Sequence, residues 1–378
     1  MVNSERILNE FLELVQVDSV SGKERAIADL LKRKLSEIGL EVSEDSAGRE
    51  VGSDTGNIIG KLPGKSGAPV LLLSAHMDTV EPGRGVKPVL DGGVVRSSGA
   101  TVLGSDDKAG LVAILEVLRL VQEENLEHGG LEVVFTIWEE GGLFGSKNLD
   151  YKQLSAAAGF VLDSDGPPGT IVTRAPWQDQ IGVTITGRSA HAGINPEAGV
   201  NAIMVASQAI AGMKIGRIDD ETTSNIGIIS GGKATNIVPD SVTIQGEARS
   251  LDPTKLAAQT AHICEAIKVT SDKFGAKARI VVDRVYEGFS LDEQALPVRL
   301  ALSAAKNLEL TPRLKNTGGG SDANIFNSKG IAAAVLGIGM NKVHTTEEFI
   351  SLADLSGNVR YLLEIVRAAQ RLQQGQQH

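Results

Sequence analysis

Apolar residues recur at helical spacing from the start of the chain. Ile7, Leu8, Phe11, Leu12, Leu14 and Val15 predict a first helix. Ser21 and Glu24, three residues apart, predict a capping box that opens a second helix. Ile27, Leu30, Leu31 and Leu35 form that helix's stripe, and Gly39 closes it. Short apolar runs follow at N-I-I-G near 57 and P-V-L-L-L-S-A near 69. The second reads as a strand buried on both faces, as in a parallel sheet. Residues 107–122 predict a helix that is apolar almost all round and therefore buried. L-E-V-V-F-T-I-W at 131–138, A-G-F-V-L at 158–162 and T-I-V-T at 170–173 predict three more strands. Strands alternating with helices argue for an α/β layer with a mixed, mainly parallel sheet flanked by helices.

The pattern changes after about residue 176. I-G-V-T-I-T-G alternates, with Ile181, Val183 and Ile185 on one face. A helix over about 197–213, two strands, a helix over about 253–274 and A-R-I-V-V-D-R-V complete the order β-α-β-β-α-β. This is the split ferredoxin-like unit. Its strict alternation leaves one sheet face wet or against a partner. From about 288 the α/β style returns, with a helix near 292–307, a strand near 332 and a helix at 353–370. The organisation expected is one α/β domain over 1–176 and 288–378, interrupted by an α+β domain over 177–287. The tail Q-Q-G-Q-Q-H is expected to be frayed.

Composition removes several classes. The chain has 378 residues, a net charge of −10 and one cysteine, so no internal disulfide is possible. An acidic chain without a Lys/Arg block is a poor nucleic-acid binder. No apolar run reaches the ~18 residues of a membrane span. The charged, helical start lacks the pattern of a secretory signal, so a cytoplasmic location is expected. G-K-L-P-G-K-S at 60–66 fails as a phosphate loop, because its first glycine is one residue too close.

Of six histidines, His378 lies in the tail, His128 in a turn expected to be solvated, and His262 in an amphipathic helix. Three occupy unusual places. His76 ends an apolar strand, and Asp78, two residues on, projects from the same side as a possible orienter. Such strand ends are where α/β sheets bind ligands. Asp106 and Asp107 open the buried helix, where capping alone needs only one acid. Glu139 and Glu140 follow T-I-W and are expected to point to opposite faces. V-L-D-S-D at 161–165 and His344 in V-H-T-T-E-E complete the set. Each has a bland reading as a cap or a polar turn. The joint pattern of His76, Asp106, Glu140, Asp163 and His344 suits two zinc ions sharing a carboxylate bridge.

S-A-H-M-D-T-V, G-S-D-D-K-A-G, E-E-G-G-L-F-G-S, G-R-S-A-H-A-G, G-G-G-S-D and V-H-T-T-E-E together resemble a known family. It comprises the co-catalytic di-zinc peptidases and deacylases, including glutamate carboxypeptidase, succinyl-diaminopimelate desuccinylase, carnosinase and peptidase T. The likeness runs over essentially the whole chain and is strongest to the tripeptidase, peptidase T-like branch. It implies that His76, Asp106 and Asp163 hold one zinc, with Asp165 the alternative to Asp163, and that Asp106, Glu140 and His344 hold the other. It also implies a cis peptide after Asp106, Asp78 as orienter of His76, and Glu139 as general base. In the inserted domain, which the resemblance makes a lid, His191 would stabilise the oxyanion, and Asn236 and Arg249 would hold the distal part of the substrate. Gly320 and Ser321 fall in a substrate-facing loop. An aspartate at 163 goes, in this family, with aminopeptidases and dipeptidases. The expectation is therefore a metal-dependent hydrolase of short peptides, releasing the N-terminal residue of tripeptides. Deacylase or carboxypeptidase action is the alternative, and a silent binding protein is disfavoured by the retained Glu139. Cobalt or manganese fits the same ligands as zinc. A homodimer through the lid is also compatible with the resemblance.

Overall fold

The computed structural model of the chain describes residues 2–375. The expected frayed tail lies partly outside them, and its described part continues the last helix, Leu352–Gly375. The chain divides into two compact units. The first comprises Met1–Thr173, Ser290–Asn316 and Ser321–His378, the second Arg174–Phe289 and Thr317–Gly320.

The first unit is built on a nine-stranded sheet. Its middle consists of Gly130–Thr136, Leu71–His76, Ala158–Asp165 and Ala333–Met340, in that order and all parallel. Every residue of Gly130–Thr136, Leu71–His76 and Ala333–Met340 is buried, which explains why these strands are continuous apolar runs. Ile58–Pro63 and Thr170–Ala175 flank them antiparallel. The parallel strands all end at one edge, so the residues after them gather there.

The helix Ser105–Glu123 is the central buried element, with Leu111, Ile114, Leu115 and Leu118 excluded from solvent. Burying each such side chain stabilises by roughly 1.5–3 kcal/mol. It lies so close to the sheet that a Cβ on Gly110 would stand 2.7 Å from the Leu162 carbonyl oxygen. A small three-stranded sheet of Pro88–Asp91, Val94–Ser97 and Phe349–Ser351 has no counterpart in the hydrophobic pattern, because its strands are only three or four residues long.

The second unit carries Trp177–Thr186, Thr222–Gly231, Ser241–Ser250 and Lys277–Tyr286 in one antiparallel sheet, with the short Gly216–Arg217 at its edge. The chain order of the four long strands across the sheet is 2-3-1-4, the ferredoxin-like arrangement. Ile181, Val183, Ile185, Val242 and Ile244 pack with the helices Ala202–Ala211 and Pro253–Lys273 into a separate core. Val281 and Val282 remain exposed. No described helix is long and apolar enough to cross a membrane.

Three local expectations are corrected. The second helix is Arg25–Ile38, and Glu24, its cap residue, makes no capping hydrogen bond; Ser21 and Glu24 turn to other partners. Glu139 and Glu140 lie beyond the strand end at Thr136, in a turn entered through Trp138 at φ 46°. His128 is buried, 4% exposed, not solvated.

Candidate metal centre

Each ligand-type side chain reaches the sheet edge by its own local device. His76 is the last residue of its strand and is 2% exposed. Asp106 and Asp107 are joined by a cis peptide at the start of the central helix. Their side chains part company. Asp107 accepts the backbone N–H of His76 at 3.1 Å and of Gly110 at 3.2 Å, so it serves the backbone. Asp106 faces both imidazoles: Oδ1 is 3.0 Å from His76 Nε2 and Oδ2 is 3.3 Å from His344 Nε2. One carboxylate therefore presents one oxygen to each histidine. His344 Nε2 also lies 2.8 Å from Glu140 Oε1.

Two triads have ligand atoms all within 4.8 Å of one another: His76, Asp106 and Glu140, and His76, Glu139 and Asp163. Asp165, by contrast, is exposed and paired with Lys315. Asp78 sits behind His76. Its Oδ1 is 3.3 Å from His76 Nδ1 and accepts the Glu139 N–H at 2.9 Å; its Oδ2 accepts the Ser21 hydroxyl at 2.6 Å and the Glu140 N–H at 3.3 Å. One buried carboxylate thus ties the imidazole to the turn that carries both glutamates.

The electrostatics follow from acids and imidazoles packed against one another. Burial, then repulsion from Asp163, pushes the Glu139 carboxyl well above its usual range. Burial and Asp106 do the same to Asp163. Burial also acts on Asp106, but hydrogen bonds from His344 and His76 outweigh it and hold that carboxyl low. His344, half-exposed, is pushed up to about 10 by its bonds to Asp106 and Glu140. Buried acids crowded around two imidazoles are the donor chemistry of a divalent-cation site, which would neutralise the repulsion. His76 belongs to both triads, Asp106 and Glu140 to one, Glu139 and Asp163 to the other, and His344 to neither, although it lies against Asp106 and Glu140.

Several supporting residues escaped the sequence reading. Glu24 is fully buried, accepts the Trp138 N–H at 3.0 Å and the Gly22 N–H at 2.8 Å, and is pushed up to about 7 by burial and by Asp78. Lys108 donates to Ser19 Oγ at 2.7 Å and to the Met77 carbonyl at 3.2 Å, and burial pushes it down to about 8. Asp322 accepts the Thr136 hydroxyl at 2.5 Å. Glu348 grips the loop before Asp106. Lys108 was the one with a readable signal, a cation in the buried first turn of the central helix.

The candidates in the second unit are placed differently. His191 and Asn236 are exposed and lie on neighbouring segments joined by a bridge from His191 to Ile237. His191 Nδ1 accepts the Gly193 N–H at 3.2 Å. Arg249 is half-buried and paired with Glu247, both contacts at 3.0 Å. A Cβ on Gly320 would stand 2.3 Å from the Tyr286 ring, so close packing requires glycine there. Ser321, in the first unit, caps the helix Asp322–Ser328 in a capping box with Asn324.

The family model for peptidase family M20/M25/M40 matches residues 72–368. The chain is 42% identical over 369 residues to the uncharacterized protein YqjE of Bacillus subtilis, covering 98% of this chain and all of that one. Among solved structures it is similar to the aminopeptidase PepT of Bacillus cereus, with a TM-score of 0.91 and 43% identity over 98% of this chain and 99% of that one. It is likewise similar to a tripeptidase of Staphylococcus aureus, with a TM-score of 0.94 and 41% identity over 98% of this chain and all of that one. By this match over most of its length, and with its clustered imidazoles and carboxylates, the chain belongs to peptidase family M20/M25/M40 and is a metal-dependent hydrolase.

Proposed function

We propose that this chain is an aminopeptidase that releases the N-terminal residue of tripeptides, with zinc as its metal and cobalt or manganese as substitutes. The observation that carries this reading is end-to-end similarity, at 41–43% identity, to an aminopeptidase and a tripeptidase, joined to a cluster in which Asp106 faces two imidazoles. His76, Asp106 and Asp163 would hold one ion, and Asp106, Glu140 and His344 the other. When bound, such ions polarise the scissile carbonyl and bring the pKa of water towards ~7.

The remaining work falls to side chains. Glu139 takes a proton from the attacking water and passes it to the leaving amine nitrogen as the C–N bond breaks. Its carboxyl lies within the same cluster as His76 and Asp163, where a base for the attacking water must stand. Asp78 fixes the His76 ring and, through the amides of Glu139 and Glu140, the position of the base. On the family resemblance alone, His191 donates to the developing oxyanion, and Asn236, Arg249, Gly320 and Ser321 hold the substrate's far end. A cytoplasmic homodimer belongs to the same reading. Exposed Ile228 and Ile229 on the second unit support a dimer surface, which light scattering tests.

The decisive assay compares one tripeptide, free and N-acetylated, with zinc-loaded and chelated enzyme. Cleavage of the free peptide only, abolished by chelation, is the expected result. Cleavage or deacetylation of the blocked peptide only would move the chain to the deacylase or carboxypeptidase side.

A further inference from the structure

Glu348 lies four residues after His344 and is 1% exposed. Its Oε2 accepts the backbone N–H groups of Leu103 at 2.7 Å and Gly104 at 2.8 Å. Its Oε1 accepts the Ser105 hydroxyl at 2.5 Å and the Asp106 N–H at 3.1 Å. Four consecutive residues, ending on Asp106, donate to one carboxylate. The cap position of the central helix is Gly104, which has no side chain with which to cap it, so the first donors are met from a distant loop.

That loop is not an arbitrary source. The strand Phe349–Ser351 pairs with Val94–Ser97 and draws the 341–348 loop alongside the segment before Asp106. His344, on the same loop, lies 3.3 Å from Asp106 Oδ2. The short segment 344–348 therefore delivers an imidazole to the Asp106 carboxylate at one end and clamps the Asp106 backbone at the other. A helix cap needs only acceptors. A device that fixes Asp106 against His344 needs the acceptor on the chain segment that carries His344.

We propose that Glu348 is a positioning residue that sets the spacing of Asp106 and His344 and thereby the affinity of the metal position those two share with Glu140. The proposal rests on the two-metal reading above. Groups that orient metal ligands typically contribute about 10–100-fold in affinity or activity.

Glu348→Gln keeps the size of the side chain but replaces one acceptor atom with a donor. With its oxygen kept on Leu103 and Gly104, its NH2 group can donate to Ser105 Oγ but confronts the Asp106 N–H, which loses its partner. The test titrates the metal-free full-length protein with zinc against a chromophoric chelator, counts bound ions by mass spectrometry and records the melting temperature in chelator. The expected result is one ion bound as in the wild type and a second bound about 10–100-fold more weakly. KM should stay unchanged, and kcat should recover in excess zinc. Two ions bound with wild-type affinities would overturn the proposal, whatever happens to the melting temperature. Equal weakening of both ions would also overturn it, leaving Glu348 as a helix cap. If Glu348→Gln does not fold, Ser105→Ala decides. It removes one donor and should weaken the second ion about five-fold; unchanged affinity overturns the proposal. A wild-type protein that binds no zinc would overturn the two-metal reading itself, a result distinct from either variant's.

Discussion

The first unit holds most of its candidate residues in a buried web, whereas the second leaves His191 and Asn236 exposed. His76 and Asp106 are 2% and 8% exposed, and Asp78, Asp107 and Glu348 hold them from behind. His191 and Asn236 are exposed, and Arg249 is occupied by a neighbouring glutamate two residues away on the same strand. The roles proposed for the two sets account for the contrast. Metal ligands must be fixed within fractions of an ångström, and only burial with several hydrogen bonds per group does that. Groups that meet a mobile substrate need reach rather than rigidity.

The largest expected effect comes from the buried side. Glu139→Gln should lower kcat by about 10²–10⁴-fold while metal content and melting temperature hold. Loss of bound metal instead would make Glu139 a ligand and remove the general base from the scheme. His191→Ala should lower kcat by about 10²–10³-fold with no change in metal binding or stability, because the side chain is exposed. A fall in metal affinity would break the proposed division of labour between the units. Ser21→Ala strips one bond from Asp78 and should cost about 10–100-fold in metal affinity or kcat, read by zinc titration. Arg249→Ala should raise KM about ten-fold for a peptide with a free carboxylate and much less for its amide, measured by initial rates; equal effects on both would rule out carboxylate recognition.

The smallest expected effect concerns pH. In chelator, Glu139 and Asp163 bind protons more tightly in the folded chain than in the unfolded one, and so does His344, at about 10. A raised pKa contributes stability that is present below the unfolded value and lost as pH rises towards the folded one. The window opens near pH ~4 for the acids and ~6.5 for the histidine, whose part is small because it is half-exposed. Asp106, held low, acts oppositely, but only in acid. The chelated protein should therefore melt progressively lower from pH ~6 to pH ~8, above which Lys108, pushed down to about 8, opposes the trend. The upward shift on adding zinc should widen over the same range, since deprotonated ligands bind better. Melting curves with and without zinc check this; a gap that narrows would mean the cluster does not release its protons to metal.

Much of the site was legible because chemistry interrupts pattern. His76 ends an apolar run, two acids open an apolar helix, and both anomalies fall at sheet or helix ends where ligands gather. Ser21 and Glu24 were misread for the converse reason. Their spacing satisfies a local rule, the capping box, yet Ser21 bonds to Asp78, 57 residues away, and Glu24 to Trp138, 114 residues away. Glu348 resembles any acid in a charged loop until the pairing of Phe349–Ser351 with Val94–Ser97 shows what stands opposite it. His128 sits among turn residues, but its ring is covered by packing that no local window contains.

The sequence by itself determined the two units' element orders, the parallel and antiparallel styles of their sheets, and which residue types could bind metal. Hydrophobic periodicity and strand-end polarity are local properties, readable within a dozen residues. The family resemblance pointed to Asp106 and Asp163, but only the tertiary structure showed that Asp107 turns to the backbone, that Asp163 rather than Asp165 lies by His76, and that Glu348 clamps the loop before Asp106. Those choices depend on side-chain direction to a few tenths of an ångström and on partners tens to hundreds of residues distant, and no one-dimensional pattern carries either.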